Sequence, residues 1–151
     1  MARAGVPLAR PQPANGTRAL LASRIMSETV YVGNAAVDAH ADRGWLLGHF
    51  RPGGDVRHSA DVEVKWGVHP PGDRRARWVT GETRTTMIVL VSGRFCVDLP
   101  GRHVLLASQG DYVVFHRVDH SWHAEEESVI LGVRWPSVPG YAVPGAGTGA
   151  G

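Results

Sequence analysis

The chain has 151 residues, 43% of them hydrophobic, which is enough for one folded domain with a sizeable apolar core. Its net charge is +2, but the first 25 residues contain four arginines and no acid. The remainder therefore has 12 basic and 14 acidic side chains, which excludes the strongly basic surface typical of nucleic-acid-binding domains.

The start of the chain and its cysteine content bear on its location. The single cysteine, Cys96, rules out an intrachain disulfide, so we expect a reducing, cytoplasmic compartment. No apolar run approaches the roughly 20 residues that span a bilayer, so we expect no membrane insertion. Residues 1–25 are rich in Ala, Arg, Pro and Gly without a period, which predicts a disordered tail. Met26 follows directly and is an alternative start to Met1.

After this tail the sequence contains short runs of β-branched and aromatic residues separated by turn formers. Strands are expected first at 29–32 and 45–50, with one helical turn between them at 34–43. At 62–69 valines and a tryptophan alternate with polar or small residues, which predicts a strand whose apolar side is buried. Further strands are expected at 79–91, 94–99, 103–107, 112–115, 121–124 and 128–135.

This series of about eight or nine short strands has a turn signal every 8 to 12 residues and no convincing amphipathic helix. An all-β sandwich or barrel is therefore expected. From Pro136 the composition changes to Pro and Gly, which predicts a second loose tail at 139–151.

Two stretches of the predicted barrel resemble the two-motif layout of the cupin superfamily. The first runs from Pro71-Gly72 through a β-run to Gly93, and the second is Gly110-Asp111-x-Val113-x-Phe115 followed by His120. The resemblance covers about 62–135. Within the superfamily, this stretch is similar to small single-domain cupins of uncharacterised activity. It implies a cupin-type jelly-roll β-barrel at 26–138, between disordered tails at 1–25 and 139–151.

The resemblance also implies a metal site, because many cupins hold a divalent Fe, Mn, Ni or Zn ion with two His and one Glu from the first motif and one His from the second. Counting back from the turn glycine of the first motif places Thr86 at the Glu position and Thr80 and Glu82 near the two His positions. The first motif is therefore degraded. The second keeps its histidine, because His120 stands ten residues after Gly110.

The carried-over metal ligands are thus His120 and, as a substitute, Glu82. A catalytic metal generally needs three protein ligands; His69 is the third candidate, although strand alternation places neither it nor His116 or His123 well.

Other polar and aromatic residues are candidates for ligand binding. Glu82 and Arg84 lie two apart on one expected strand, so they can pair with each other or with a ligand. A buried Glu82 would need Arg84, His120 or a metal beside it. Trp78 and Trp122 suit an aromatic lining of the barrel mouth, and Thr80 belongs to the same candidate site.

Two functions remain open at this point. The first is a small-molecule enzyme in which Glu82 and His120 act as metal ligands or as an acid/base pair. The second is a non-catalytic module that binds a small ligand or dimerises and has lost the cupin metal site. Both imply a small-molecule ligand, and we expect a homodimer because pairing protects exposed sheet edges.

Overall fold

A computed structural model describes residues 29–139 of the chain. The predicted tail at 1–25 and the alternative start at Met26 lie outside the described residues, as does the tail at 139–151 beyond its first residue. The described part contains one helix and eight strands. The all-β prediction is therefore confirmed.

The first elements differ from the prediction in detail. Helix α1 covers Ala35–Ala41 where a single turn was expected, because the side chain of Asn34 caps the amides of Ala36 and Val37 and alanine favours the helix. Residues 29–32 form no strand, so that prediction is wrong. Their valines, Val30 and Val32, are exposed and have no strand neighbour to pack on.

Residues 29–139 contain no helix that is long and apolar enough to cross a bilayer.

The strands form two antiparallel sheets. Strand β1 is Trp45–Leu47, and the others are β2 (Glu63–His69), β3 (Thr85–Ser92), β4 (Phe95–Leu99), β5 (Arg102–Leu106), β6 (Tyr112–His116), β7 (Ser121–Ala124) and β8 (Ser128–Trp135). One sheet has the order β1-β2-β8-β3-β6 and the other the order β5-β4-β7. The second expected strand stops at Leu47, and the strand expected at 79–91 begins only at Thr85.

The core lies between the inner faces of the two sheets. It consists of buried aliphatic and aromatic side chains from five strands: Ile88, Leu90, Phe95, Val97, Leu106, Phe115 and Ala124. The tight turn between β3 and β4 depends on Gly93, whose φ is +89°. A Cβ at this position would collide with the carbonyl oxygen of Glu127, so only glycine fits the turn.

Strand β2 has the opposite polarity to the one predicted. Its polar positions face the interior, because Glu63 is 1% exposed and Gly67 is buried, whereas Val68 on the apolar side is 59% exposed. The inward side of β2 therefore carries Glu63, Gly67 and His69, while Lys65, in the same phase of the strand, remains exposed. The physical reason is that Glu63 has buried arginine partners inside the barrel, which outweigh the hydrophobic pattern.

Candidate functional site

A buried ion network stands at one end of the barrel interior. Arg84 is 1% exposed and binds Glu82 through two hydrogen bonds of 2.8 Å, from Nε to Oε1 and from Nη2 to Oε2. Its Nη1 donates to Oε1 of Glu63 at 2.8 Å. Nε of Arg134 lies 2.6 Å from the same Glu63 oxygen. Two carboxylates and two guanidinium groups thus neutralise one another away from water.

The network is completed by the chain segment after β8. The hydroxyl of Ser137 donates to Oε2 of Glu63 at 3.0 Å and accepts the backbone N–H of His49 at 3.0 Å. Ser137 is itself buried. Each oxygen of Glu63 therefore has at least one partner, as a buried carboxylate requires.

Glu82, predicted to be a metal ligand or acid/base group, is a member of this network. Burial raises its pKa, but the hydrogen bonds from the Arg84 side chain and amide outweigh that effect and lower the pKa to about 2. Its Oε1 also accepts the amides of Thr83 and Arg84. A carboxylate held in this state is a poor proton acceptor at neutral pH. The structure therefore gives Glu82 the role of fixing Arg84.

Next to the network, the barrel encloses a pocket of about 110 Å³. Two glycines on neighbouring strands of one sheet, Gly67 of β2 and Gly132 of β8, make room for it. The other lining residues are three cations, two histidines, one threonine and four apolar side chains: Lys65, Arg75, Arg134, His69, His120, Thr86, Trp45, Ile88, Trp122 and Ile130. Among the described residues that line the pocket there is no carboxylate. Of the three cationic side chains, Arg134 is already paired with Glu63 and Lys65 is exposed to solvent.

His120 lines this pocket and is 6% exposed. Its Nδ1 lies 3.1 Å from the carbonyl oxygen of Val118, which can only accept, so Nδ1 carries the proton and Nε2 offers a lone pair. Burial lowers the pKa of His120, and the Val118 hydrogen bond and the charge of Glu82 oppose this only in part. At neutral pH the ring is a neutral imidazole with a basic Nε2.

His69 lines the same pocket from β2. Its Nδ1 lies 2.8 Å from a carboxylate oxygen of Asp73, so here too Nε2 offers the lone pair. The ring packs 4.4 Å from Trp122 and 5.2 Å from Phe95, measured between ring centroids. A Cβ added to Gly67 would lie 2.7 Å from His69 Nε2, which places this nitrogen over the glycine. The structure thus brings His69 and His120 to one pocket, although alternation predicted otherwise for His69.

The residues around the pocket fit a divalent metal poorly. Thr86 occupies the position of the cupin Glu, is 4% exposed, and its hydroxyl has no hydrogen-bond partner among residues 29–139. Two imidazole nitrogens remain as ligands, since Glu82 is bound to Arg84, and three nearby cations oppose a further positive charge. The ligand set of His120, Glu82 and His69 stays a prediction that this geometry does not favour.

The remaining predicted residues are distributed around the barrel mouth. Trp122 lines the pocket, whereas Trp78 is 39% exposed and lines a neighbouring surface groove. Thr80 is exposed and lines no described pocket. Sequence reasoning missed the contributions of Lys65 and Arg75. The spacing Lys65-x-Gly67-x-His69 was the available signal, once β2 is known to turn this side inward.

Comparisons with known proteins concern the fold. No family model matches the sequence, and no curated protein does. Similar solved structures include KdgF from Halomonas sp., with 24% identity, covering 54% of this chain and 74% of that one at a TM-score of 0.49. A double-stranded β-helix protein from Klebsiella pneumoniae has 20% identity, coverages of 56% and 76%, and a TM-score of 0.49. An RmlC-like cupin from Shewanella frigidimarina has 17% identity, covering 53% of this chain and 70% of that one at a TM-score of 0.47. The described residues form two antiparallel sheets of five and three strands around one core, which is the all-β sandwich or barrel that the sequence predicted.

Proposed function

We propose that the barrel binds a small organic anion, such as a carboxylate with a short apolar or aromatic body. The observation that supports this is the lining of the pocket, which includes the cationic side chains of Lys65 and Arg75 and no carboxylate; the third cation of the lining, Arg134, is paired with Glu63. Guanidinium groups recognise carboxylates through paired hydrogen bonds. The hydroxyl of Thr86 can donate a hydrogen bond to the carboxylate, whereas the Nε2 lone pairs of His69 and His120 can accept one from a donor elsewhere on the ligand.

The size and the apolar lining of the pocket restrict which ligands can bind. A volume of about 110 Å³ is below the roughly 150 Å³ of a protein cavity that holds benzene, so the pocket can bury a short chain, whereas an aromatic ring would lie partly outside it. Trp122 and Trp45 offer aromatic surface, and Ile88 and Ile130 offer aliphatic surface. The charged end of the ligand would then lie toward Arg75 and Lys65.

Titration of the tag-free protein with small carboxylates tests this proposal, with tryptophan fluorescence as the readout. Benzoate and short-chain 2-oxo acids are expected to bind, and their neutral amides to bind at least about tenfold more weakly, because the cation contact is worth about 1.5 to 3 kcal/mol. Arg75→Met should lower the affinity for the carboxylates to about the affinity for their amides. Arg77→Met, outside the pocket, is the matched control and should leave both affinities unchanged. Equal binding of acids and amides would contradict the proposal.

A second candidate is an enzyme that moves a proton on the bound anion. The observation that favours it is the pair of imidazoles, His69 and His120, each with Nδ1 fixed by an oxygen and Nε2 available. In the predicted pair of Glu82 and His120, the low pKa of Glu82 leaves His69 as the better second member. Exchange of ligand C–H protons for solvent deuterium, followed by NMR and lost in His69→Gln, would support it.

The predicted metal enzyme has its own test. Metal analysis of protein purified without a histidine tag, after exposure to Fe, Mn, Ni and Zn, would have to give stoichiometric metal that is lost in both His120→Ala and Glu82→Ala. Metal-free protein that still binds carboxylates would leave anion binding as the function.

We also propose the homodimer. Support comes from the outer face of the five-stranded sheet, where Val68, Tyr112 and Val114 are 59%, 65% and 49% exposed. A second copy could cover such an apolar face symmetrically. Light scattering at micromolar concentration should give twice the 16.2 kDa mass of the chain. The Val114→Glu variant should give the mass of one chain. The expected cytoplasmic location is likewise a proposal, to be checked by fractionation of the native host.

A further inference from the structure

The outer face of the three-stranded sheet carries a cluster of metal-ligating side chains that the proposed function does not use. Cys96 and Asp98 lie on β4, His103 on β5 and His123 on β7. The strand register places Cys96 opposite His123 and Asp98 opposite His103. These four residues, here called the outer cluster, lie on the opposite side of the sheet from the core residues Phe95 and Val97.

Three proton donors of the outer cluster converge on one carboxylate. Nδ1 of His103 lies 2.6 Å from Oδ1 of Asp98, and Nδ1 of His123 lies 3.1 Å from Oδ2. The thiol of Cys96 donates to Oδ1 at 3.8 Å. One potential ligand atom from each of Cys96, Asp98 and His123 falls within 4.8 Å of the other two.

We propose that the outer cluster is a zinc site. A thiolate, a carboxylate and imidazole nitrogens are the ligands that Zn²⁺ takes in tetrahedral sites, and the thiolate disfavours Mg²⁺ and Ca²⁺. Cys96, Asp98 and His123 form the core of the site, and the exposed His103 completes it by turning its side chain. Binding removes the thiol proton, and each imidazole must present an unprotonated nitrogen to the ion.

The placement of the ligands favours a site that can form without a large rearrangement. Cys96 is 5% exposed and Asp98 is held in the strand interior, so two ligands are fixed by the sheet. His123 is half-exposed and borders an open groove whose lining also includes Asp98, Trp78 and the arginines Arg74 and Arg75. An ion can therefore reach the cluster from solvent through this groove.

Zinc at the outer cluster would tie β4, β5 and β7 together across the outside of the sheet. The neighbour of His123 on β7 is Trp122, whose side chain lines the barrel pocket. Zinc binding would therefore fix the strand that carries one wall of the anion pocket. We expect the thermal midpoint to rise with Zn²⁺ concentration, because the folded state alone binds the ion.

Titration of the tag-free, full-length protein with Zn²⁺ and Co²⁺ tests the inference. One equivalent of each metal should bind, and the Co²⁺ form should show a thiolate-to-cobalt charge-transfer band. His123→Ala should weaken Zn²⁺ binding by at least about 100-fold, since even outer-shell partners of a metal site contribute roughly 10- to 100-fold. Cys96→Ser should remove the charge-transfer band.

His120→Ala is the matched control, because it removes an imidazole from the barrel pocket and leaves the outer cluster intact. It should leave Zn²⁺ affinity and the cobalt band unchanged. Metal binding lost in His120→Ala but kept in His123→Ala would place the ion inside the barrel and overturn the inference. The absence of stoichiometric binding to the wild type would also overturn it. His123 is half-exposed, so its alanine variant should keep the wild-type urea midpoint and remain interpretable if Cys96→Ser unfolds.

Discussion

The barrel pocket and the outer cluster each contain two histidines, and in each the Nδ1 atoms are held by oxygen acceptors. In the pocket, the acceptors of His69 and His120 are Asp73 and a carbonyl group, and three cations share the wall. In the outer cluster both histidines contact a single carboxylate, Asp98. The pocket therefore suits an anion, whereas the cluster suits a cation.

The difference teaches that the charges around an imidazole decide what it can bind, more than the imidazole itself. It also separates buried from exposed charge. Inside the barrel, Glu63, Glu82 and Arg84 are no more than 5% exposed, so their interactions are fixed at folding. On the outside, the charges remain accessible to solvent and to ions. The following predictions test this contrast between interior and exterior.

Removing Arg84 should have the largest effect on stability. Arg84→Met leaves Glu63 and Glu82 short of their buried partner, which should lower the free energy of unfolding by about 3 to 5 kcal/mol. The measurement is urea denaturation at pH 7. Arg94→Met is the exterior control, because Arg94 pairs with Glu125 at 3.1 Å and both are more than a third exposed; we expect a loss below about 1 kcal/mol. Similar losses in the two variants would break the contrast.

The second effect is the acid sensitivity of the interior. Because the pKa of Glu82 falls from 4.5 to about 2 on folding, the unfolded chain takes up a proton first as the pH drops. The contribution of Glu82 is fully present above about pH 5 and is lost between there and pH 2, roughly 3 kcal/mol in all. Glu82→Gln should make the free energy of unfolding less dependent on pH in this range, as measured by urea titrations at several pH values.

Asp98 provides the exterior counterpart of that experiment. Burial raises its pKa, but hydrogen bonds from His103 and His123 outweigh burial and lower the pKa overall. The sign is therefore the same as for Glu82, with stability lost as the pH falls. We expect Asp98→Asn to flatten the profile less than Glu82→Gln does. A larger flattening in Asp98→Asn would reverse the assignment of interior and exterior.

The third prediction concerns the space in the pocket. Gly67→Ala places a Cβ 2.7 Å from His69 Nε2 and 3.0 Å from Ile130, and the His69 ring is held by its aromatic neighbours. We expect a loss of about 1 to 3 kcal/mol from overpacking and loss of carboxylate binding. Gly132→Ala is the matched control for stability alone, since its Cβ would meet only Lys65 at 3.9 Å but would also reduce the space in the pocket that Gly132 lines. Both variants can be compared by calorimetry with benzoate.

The smallest effect is expected at Thr86. Its buried hydroxyl lacks a partner among residues 29–139, so Thr86→Val should keep or raise stability, by up to about 1 kcal/mol. Carboxylate binding should weaken at the same time if the hydroxyl contacts the ligand. Denaturation and ligand titration of one preparation give both numbers. A destabilised variant with unchanged binding would contradict this role of Thr86.

Most of the fold followed from sequence because turn residues and β-branched runs act locally. Gly93 shows this well, since its turn needs a positive φ and leaves no space for a side chain. Thr86, Ile88 and Leu90 alternate along β3 and all three are buried, which is the period of two of a strand with one inner face. The length of helix α1 was underestimated, because Asn34 is also a common turn residue and its segment contains other turn formers. Its role as the N-cap of the helix was therefore not recognised.

The candidate site was predictable only in part, because it depends on partners far apart in sequence. The partner of Glu63 is Arg84, 21 residues away, and this contact reverses the expected polarity of β2. Once β2 turns its polar side inward, His69 lines the barrel pocket and Lys65, although exposed, borders it. Local hydrophobic periodicity carries no information about such an ion pair.

The hydrogen bonds of Ser137 have a practical consequence for shortening the protein. Its backbone N–H donates to Ala60 at 3.0 Å, and its hydroxyl reaches Glu63, although the last strand ends at Trp135. A recombinant fragment cut at the end of that strand would lose both bonds and let water reach a buried carboxylate. The smallest fragment that folds like the whole chain should therefore extend at least two residues past the final strand.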